Sequence, residues 1–493
     1  MRNHPSDKSS IVFRIVSSPN ICDYSPTVWV RLSGWQRTLL VVLLLANVAP
    51  FFAKAAVPET NPSLRGESGA GSTGTAAKVF DVRKFGAKGD GKTFDTAAIQ
   101  QALDECGKAS GGTVLLTAGT YLSKPISLRS NTTLQLDDGA MLKATDDVQD
   151  FLRPGENWEG WENVKKNVFT PFVSGKNLTD VTITGKGIID GSGERWWVPA
   201  EAARQKTPGY TLPRPNMIVL TGCKNVRLEN ITLQNSPKFH FVPTDCNGVV
   251  VSNVTVLAPA RAPNSDAIDP SICRNVLITK CHIDVGDDNI AIKSGRKVDG
   301  REFACDNITV TDCVFLHGHG LSIGSETLGG VRNLTVRNCT FEGTENGIRI
   351  KSARGKGGVV ENLTYSDITM KNVDPAITFT CYYMDNSAKD PVQRSIPKED
   401  AAQPVAEGTP IYRNIRISNL TATCEKTAGI IIGLPESKVS DVVLENVRIS
   451  APIGLTIRNA KAIKLKNVKI ETQQGQPFIL DNAVVEGLET TNK

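Results

Sequence analysis

The chain has 493 residues, of which 40% are hydrophobic and 22% are charged, so its composition excludes a protein that is disordered throughout. The formal net charge is only +5, and Lys and Arg are scattered among Asp and Glu, which argues against nucleic acid as a partner. The 42 glycines favour a turn-rich, all-β protein over a helical one.

The N-terminal region has the pattern of an export signal. An apolar run at 39–52 follows Arg31 and Arg37 and precedes an A-x-A pattern at 53–55. The run is shorter than the roughly 20 residues that a spanning helix needs, which argues against a permanent membrane anchor. We therefore expect 1–55 to be a leader with a secretory signal and the protein to be secreted or periplasmic.

The leader is followed by a flexible linker and then by a single domain. Residues 56–78 are rich in Gly, Ser, Thr and Pro, a composition typical of linkers. Residues 79–493 form the expected folded domain, which begins near Val79. Its first part contains one helix that Asp95 or Thr96 can cap. The helix-spaced apolar positions are Ala98, Ile99, Ala102, Leu103 and Cys106.

A short phrase recurs through the rest of the domain and indicates a solenoid. Examples are NVRLENITL, NVLITKCHI, NLTVRNCTF and NIRISNLTA, which start at irregular intervals, mostly of about 22 to 32 residues. Each copy alternates apolar and polar residues as a strand with one buried face does, and no helical period lies between copies. We expect a parallel β-helix whose open end is covered by the N-terminal helix, because an uncovered end exposes apolar core and strand edges.

The repeat also bears on the cysteines and on the N-x-T triplets. Ten cysteines follow the leader, an even number that in an exported chain suggests disulfides. However, Cys281, Cys313 and Cys339 occupy repeat positions where other copies have Ile, Leu or Val, which favours buried thiols. The N-x-T asparagines belong to the repeat, so we interpret them as turn and ladder residues rather than as glycosylation sites.

Four segments in successive repeats place ionisable residues where neutral ones are expected. They are PNSDAIDP (263–270), VGDDNIAIKSG (285–295), HGHGLSIGS (317–325) and NGIRIKS (346–352). Because they lie about one coil apart, stacking would bring their side chains into one patch. The residues concerned are Asp266, Asp287, Asp288, His319, Arg349 and Lys351.

Three carboxyl groups in one patch fit glycoside hydrolysis. That reaction needs a protonated carboxylic acid for the leaving oxygen and an ionised carboxylate to activate water. Crowding makes the pKa values of the carboxyl groups differ, because the charge on two carboxylates raises the proton affinity of a third. Each piece alone has an ordinary interpretation: an Asp-Asp pair in a turn or on calcium, a histidine in a turn, or a charged edge strand.

The four segments resemble the N-T-D, G-D-D, G-H-G and R-I-K motifs of the polygalacturonases, glycoside hydrolase family 28. The resemblance extends over nearly the whole chain from Val79 and includes DGSGERWW (190–197) and CKNVRLENITLQNSP (223–237). It implies a single-stranded right-handed parallel β-helix that degrades pectin. The activity implied is inverting hydrolysis of α-1,4-galacturonosidic bonds in polygalacturonic acid, without a metal or other cofactor. Exo and endo action both remain open, and we expect a monomer.

The resemblance also implies roles for the reacting groups. Asp287 would be the general acid, while Asp266 and Asp288 would hold and deprotonate the attacking water. His319 would support the protonation state of the carboxyls and help to position substrate.

Four further residues would contact or orient the substrate by the same resemblance. Asn264 would orient neighbouring groups, and Arg349 and Lys351 would bind a galacturonate carboxylate. A family tyrosine that supports the sugar ring corresponds to Tyr382 or Tyr383, of which we favour Tyr383. The departures from the family pattern, none of which removes a reacting group, are Ser265, Asn289, Leu316 and His317.

Three other functions stay open at this stage. A calcium-dependent pectate lyase would share the fold and the clustered aspartates, but it would use Arg or Lys as the base. A rhamnogalacturonan-type or xylogalacturonan-type hydrolase would share the catalytic residues, and here the intact R-I-K favours plain galacturonate. A non-catalytic pectin-binding β-helix would bind without turnover.

Overall fold

Strands dominate the chain in its computed structural model, which describes residues 78–163, 168–207, 210–295, 303–383, 396–397 and 399–488. The leader expected at 1–55 and all but the last residue of the linker expected at 56–78 lie outside the described residues. Within the described ranges, no helix has the length and apolarity that crossing a bilayer requires.

The described residues form the following elements in chain order. The strands are β1 (Val79–Asp81), β2 (Asp90–Phe94), β3 (Gly112–Leu116), β4 (Gly119–Ser123), β5 (Ile126–Ser127), β6 (Thr132–Leu136), β7 (Ala140–Ala144), β8 (Val173–Lys176), β9 (Thr179–Gly185), β10 (Ile188–Asp190), β11 (Ile218–Thr221), β12 (Lys224–Glu229), β13 (Thr232–Gln234), β14 (Phe241–Thr244), β15 (Asn247–Ser252), β16 (Thr255–Leu257), β17 (Arg274–Thr279), β18 (His282–Asp284), β19 (Ile290–Ser294), β20 (Cys305–Thr311), β21 (Val314–Phe315), β22 (Leu321–Thr327), β23 (Val331–Glu342), β24 (Ile348–Lys351), β25 (Val359–Val373), β26 (Ile377–Thr380), β27 (Ile411–Cys424), β28 (Thr427–Ile432), β29 (Val439–Ala451), β30 (Ile453–Thr472) and β31 (Phe478–Glu486). The helices are α1 (Thr96–Lys108) and α2 (Glu194–Lys206). Two 3₁₀ turns span Val82–Phe85 and Val148–Phe151.

Each coil contributes to three parallel sheets, so the predicted parallel β-helix is confirmed. The first sheet runs from β1 and β3 through β12, β15 and β17 to β20, and the second from β4 and β7 through β16 and β18 to β21. From β23 onward, single long strands bend from the first sheet into the second. The third sheet begins with β5, β8, β11 and β14 and continues with β19, β22, β24, β26 and β28.

The repeat asparagines turn the chain at the start of the first sheet. Asn275, Asn307, Asn333 and Asn362 all have φ between 56° and 58°, in the left-handed region that asparagine tolerates better than most residues. Their side chains stack: the amide of Asn307 donates to Asn275 at 2.6 Å, and the amide of Asn362 donates to Asn333 at 3.1 Å. The ladder interpretation of these asparagines is therefore confirmed.

The apolar positions of the three sheets fill the interior of the solenoid. Cys281, Cys313 and Cys339 are each about 1% exposed and stand in register with buried aliphatic residues such as Ile368. All ten cysteines from Cys106 to Cys424 are free and buried. The expectation of structural thiols is confirmed, and the disulfide framework is not.

Helix α1 packs on the first strands of the solenoid, as the sequence indicates. The five apolar residues of the predicted stripe are all buried. Asp95 occupies the N-cap position, but its side chain makes no capping bond. Its carboxylate accepts hydrogen bonds from the backbone N–H groups of Lys88 and Gly89 at 2.6 and 2.9 Å, and the Thr96 hydroxyl accepts one from Lys124. The expected cap is thus wrong in its bonding, because both side chains tie the helix start to neighbouring loops.

The thiol arrangement predicts a simple labelling pattern. In native protein, the ten buried cysteines should resist alkylation, because no reagent reaches a side chain that is fully packed. In denaturant without reductant, all ten should react. Intact-mass measurement counts the labels, and a reduced sample is the control. Any pair that reacts only after reduction would contradict the thiol assignment.

Candidate active site

The loops that lead from the second sheet into the third carry most of the predicted site residues. Asp287 and Asp288 lie between β18 and β19, and His319 lies between β21 and β22. Asp266 lies in the longer loop after β16. These loops stack because the strands that follow them are paired in register.

The register explains why residues distant in sequence meet. Ile268 pairs with Ile290, Ile290 with Leu321 and Leu321 with Ile348. The residues two positions before the first three of these are Asp266, Asp288 and His319, and the residue after the fourth is Arg349. The predicted patch is therefore formed by the spacing of the coils themselves.

Asp288 is the best-neutralised carboxylate of the site. It is 2% exposed and receives Nζ of Lys351 at 2.7 Å, Nη1 of Arg349 at 3.3 Å and the hydroxyl of Ser322 at 2.7 Å. Burial alone would raise its pKa, but the charges of Lys351 and Arg349 outweigh burial and hold the pKa below the ordinary value. Asp288 is therefore ionised at neutral pH.

Asp287 and His319 form an ion pair. Nδ1 of His319 lies 3.1 Å from Oδ1 of Asp287, and Nε2 lies 3.1 Å from Oε2 of Glu345. Burial lowers the pKa of His319, but the hydrogen bonds to Asp287 and Glu345 reverse that effect and raise it to about 10. Burial raises the pKa of Asp287, yet the bond to His319 and its charge leave it lowered. These shifts favour the form of the pair in which the proton is on the imidazole.

Asp266 has the opposite electrostatic character. It is 3% exposed, and burial together with the charges of Asp269, Asp287 and Asp288 raises its pKa well above the ordinary value despite Lys293, 3.3 Å away. The predicted spread of proton affinities is therefore present. Of the three predicted carboxyls, Asp266 is the one whose pKa is raised, while the pKa of Asp287 is lowered by its histidine.

The predicted substrate-binding residues lie beside this cluster. Arg349 and Lys351 both face the Tyr383 ring, at 5.5 and 5.2 Å from its centroid. The Tyr382 hydroxyl instead donates a hydrogen bond to Asp400 at 2.7 Å. The two tyrosines therefore have different surroundings, and Tyr383 is the one beside the two cations.

Asn264 is held through an arginine that the sequence analysis did not single out. Its side-chain oxygen accepts a 2.7 Å hydrogen bond from Arg214, which is 6% exposed and also donates to the carbonyls of Leu212, Pro237 and Pro263. Asn264 thus links the Asp266 loop to the preceding coils.

The departures from the family pattern have structural roles. The Ser265 hydroxyl donates to the carbonyl of Ala262 and accepts from the N–H of Gly286, both at 2.8 Å. The buried Asn289 accepts from the N–H of Gly320 at 2.8 Å and donates to the carbonyl of His317 at 2.9 Å. Both side chains hold adjacent loops of the candidate site together.

Helix α2 forms one wall of a cavity at the site. Arg204 from α2 and Arg261 line this cavity together with Asp287, His319 and Glu345. The helix is braced from behind, because its Trp196 is fully buried and packs edge-on against neighbouring aromatic rings. Those rings belong to Phe151, Trp161 and Phe169, at centroid distances of 5.5, 5.7 and 5.1 Å.

One donor group invites a test for metal binding. Donor atoms of Asp287, Asp288 and His319 lie within 4.8 Å of one another. However, Nζ of Lys351 already lies 2.7 Å from Asp288, and the hydrogen bonds to Asp287 and Glu345 raise the pKa of His319 to about 10, which favours the imidazolium. A divalent cation would have to displace both positive groups, so the donor set does not fit a resident metal.

Besides Arg214, three polar residues at the site were not identified from the sequence: Glu345, Asp269 and Lys293. Glu345 pairs with His319, and Lys293 bridges Asp269 and Asp266 at 2.6 and 3.3 Å. A sequence signal for Lys293 existed, because IAIK at 290–293 repeats the pattern of IRIK at 348–351. Glu345 gave no signal, since an exposed glutamate in a turn is ordinary.

Comparison with known proteins identifies the family. Residues 106–473 match the sequence model of the family described as "Glycosyl hydrolases family 28". The chain belongs to glycoside hydrolase family 28. The resemblance in the four motifs is thereby confirmed, and the protein is a glycoside hydrolase.

Relatives within family 28 cover most of the chain. An "Endo-polygalacturonase" of Pectobacterium carotovorum subsp. carotovorum is 33% identical over 390 residues, which is 76% of this chain and 89% of the relative. A "Probable polygalacturonase" of Vitis vinifera is 31% identical, covering 74% of this chain and 73% of the relative. The crystal structure of an exopolygalacturonase from Thermotoga maritima superposes with a TM-score of 0.67 at 29% identity, covering 80% and 92% of the two chains.

Proposed function

We propose that this family 28 enzyme hydrolyses α-1,4-galacturonosidic bonds of polygalacturonic acid with inversion of the anomeric carbon. The observation that carries the proposal is the ionised Asp288 held by Arg349 and Lys351 beside the proton-bearing Asp287–His319 pair. This arrangement combines an acid, a base and cations for a uronate in one patch. The relatives named as polygalacturonases support the same substrate class.

The acid step uses the proton of the Asp287–His319 pair. When substrate excludes water, a neutral imidazole and a protonated carboxyl become favourable relative to the buried ion pair. The proton then lies on Asp287, whose Oδ1 is 3.1 Å from Nδ1 of His319, and passes to the glycosidic oxygen as the bond to the anomeric carbon breaks. Asp287 is the general acid of this proposal, and His319 returns the proton to it.

The water step uses the other two aspartates. Asp266 and Asp288 hold the attacking water, whose oxygen forms the new bond to the anomeric carbon. The proton released by the water passes to this carboxylate pair, for which Asp288 is the ionised member. Asn264 orients the Asp266 loop through Arg214.

The cations of the site account for selectivity towards galacturonate. Arg349 and Lys351 present a planar fork and a point charge, which together suit a sugar carboxylate. The Tyr383 ring lies against both cations and offers a face on which a pyranose ring can rest. A neutral or methyl-esterified residue would offer these cations no sugar carboxylate in addition to Asp288.

The first prediction concerns the reaction itself. Purified protein incubated with polygalacturonic acid and EDTA should release reducing ends without any rise in ultraviolet absorbance, because hydrolysis makes no unsaturated sugar. Asp287→Asn should lower turnover on the order of 10²-fold or more, since it removes the acid. Asp284→Asn is the matched control, because Asp284 lies in the same coil but pairs with the exposed His317.

Each other outcome of this assay points elsewhere. Ultraviolet absorbance that EDTA abolishes would establish a calcium-dependent lyase and overturn the proposal. Binding without products would indicate a pectin-binding protein, and turnover of rhamnogalacturonan alone would indicate a different backbone. Full activity of Asp287→Asn would remove the acid assignment. Early product sizes, monomer or mixed oligomers, separate exo from endo action.

The second prediction concerns Lys351. Lys351→Met keeps the stem and removes the charge, so the preference for polygalacturonate over methyl-esterified pectin should fall. The same change removes the main cation that lowers the pKa of Asp288, so the acid limb of the pH–rate profile should move to higher pH. Kinetics on both substrates across pH measure the two effects, with exposed Lys371→Met as the control. An unchanged preference together with an unchanged acid limb would contradict both contacts of Lys351.

We also propose that the protein is exported, on the strength of the apolar run at 39–52 and the A-x-A pattern after it. Fractionation of a bacterial host that expresses the full chain should find the protein outside the cytoplasm, and N-terminal sequencing should place the mature start near residue 56. A chain without 1–55 is the control. Full-length protein that stays in the cytoplasm with an intact N-terminus would contradict export.

A further inference from the structure

Two buried carboxyl groups in the site share one cation. Asp266 is 3% exposed and Asp269 is 1% exposed, and both contact Nζ of Lys293. The distances from this nitrogen are 3.3 Å to Oδ2 of Asp266 and 2.6 Å to Oδ2 of Asp269. Nζ of Lys293 also lies 4.4 Å from the centroid of the Phe239 ring, which covers it. Two carboxylates on one lysine leave an uncompensated negative charge in a largely dry place.

The remaining oxygens of the two carboxyls show the same excess of acceptors. Oδ1 of Asp266 and Oδ1 of Asp269 are buried, and neither has a hydrogen-bond partner among the residues that the structure describes. An ionised carboxylate can only accept hydrogen bonds, so two ionised neighbours cannot satisfy each other. One proton on the pair would supply the missing donor.

Among the described residues, Lys293 is the only cation that forms an ion pair with either carboxyl, and Nζ of Lys238 lies over the Phe239 ring, 4.5 Å from its centroid. The groups that face the two carboxyls are Lys293 on β19, Asp287 and Asp288 in the loop before β19, Arg214 and Lys238 from earlier coils, and His240. Lys351 and Arg349 are already used by Asp288, and Arg214 is used by Asn264 and three carbonyls. His240 is fully buried, which lowers its pKa to about 4 and leaves it neutral.

We propose that Asp269 and Lys293 are positioning residues that hold one shared proton on the Asp266–Asp269 pair. Lys293 fixes the two carboxyls on the same nitrogen, and the proton links their remaining oxygens. As in other coupled carboxyl pairs, the proton belongs to the pair rather than to either residue. Burial and mutual repulsion raise the pKa of both groups, in agreement with this geometry.

The consequence for the reaction rests on the function proposed above. With a proton on the Asp266–Asp269 pair, Asp266 orients the attacking water and Asp288 takes the proton that the water releases. Oδ1 of Asp288 lies 3.9 Å from Nδ1 of His319. After product release, one water molecule between these two atoms can return the proton from Asp288 to the His319–Asp287 pair, which restores the acid without net gain or loss.

The shared proton can be observed without substrate. Infrared difference spectra across pH should show a protonated carboxyl band that persists above the ordinary aspartate range in the wild-type protein. The band should be lost in both Asp266→Asn and Asp269→Asn, because either change leaves one carboxylate paired with Lys293. It should persist to higher pH in Lys293→Met, which lacks the cation that contacts both carboxyls and favours their ionisation. Asp284→Asn is the control and should leave the band unchanged.

Kinetics then separate positioning from a purely structural role. The pH limb that reports the pair should move to lower pH in Asp269→Asn and to higher pH in Lys293→Met. The conservative Lys293→Arg should stay near the wild-type profile. A wild-type protein without the band, or a band that survives both asparagine changes, would overturn the proposal even if galacturonan is the substrate. A loss of kcat in Asp269→Asn and Lys293→Met with no movement of either limb of the pH–rate profile would also overturn the proposal. The infrared result is independent of whether polygalacturonate is hydrolysed.

Discussion

In-register stacking of the third sheet is the constraint on which the site depends. The pairing of Ile268, Ile290, Leu321 and Ile348 fixes the positions of the loops that precede them, so four segments tens of residues apart present their side chains on one face. The backbone hydrogen bonds of a parallel sheet permit no gradual shift of register, because a slip by one residue turns every side chain to the opposite face. The catalytic geometry therefore rests on the same bonds that hold the solenoid together.

The site concentrates negative charge and then distributes cations unequally over it. Asp288 has two cations and a hydroxyl, Asp287 has one imidazole, and Asp266 must share its lysine with Asp269. In a buried setting, such differences decide which carboxyl is ionised far more than the identity of the side chain does. Under the proposed mechanism, the same residue type thus serves as base, acid and proton holder within one small patch.

Much of this arrangement could be predicted from the sequence, and there are physical reasons why the rest could not. The repeat period and the alternation of apolar residues predicted the coils, and the positions of Asp266, Asp287, Asp288, His319 and the Arg-Lys pair followed from coil spacing. Side-chain bonding did not follow. Asp95 stands at the N-cap position but bonds to an adjacent loop, and Glu345 in a turn contacts His319. The sequence could not predict these two contacts, because neither follows the period of the repeat. Proton location also escapes sequence, since it depends on burial and on the count of cations within contact.

Two lysines in the same sequence pattern have different effects on the carboxyls they contact, because the residues around them differ. Lys293 and Lys351 end the related phrases IAIK and IRIK on strands β19 and β24 of the same sheet. Beside Lys351 stands Arg349, so Asp288 receives two cations and becomes ionised; the corresponding position before Lys293 is Ala291, which adds none. Asp269 then places a second carboxyl on Lys293. The IRIK strand therefore keeps Asp288 ionised. The IAIK strand has Ala in place of Arg and faces the additional Asp269, so in our proposal the carboxyls on its lysine retain a proton.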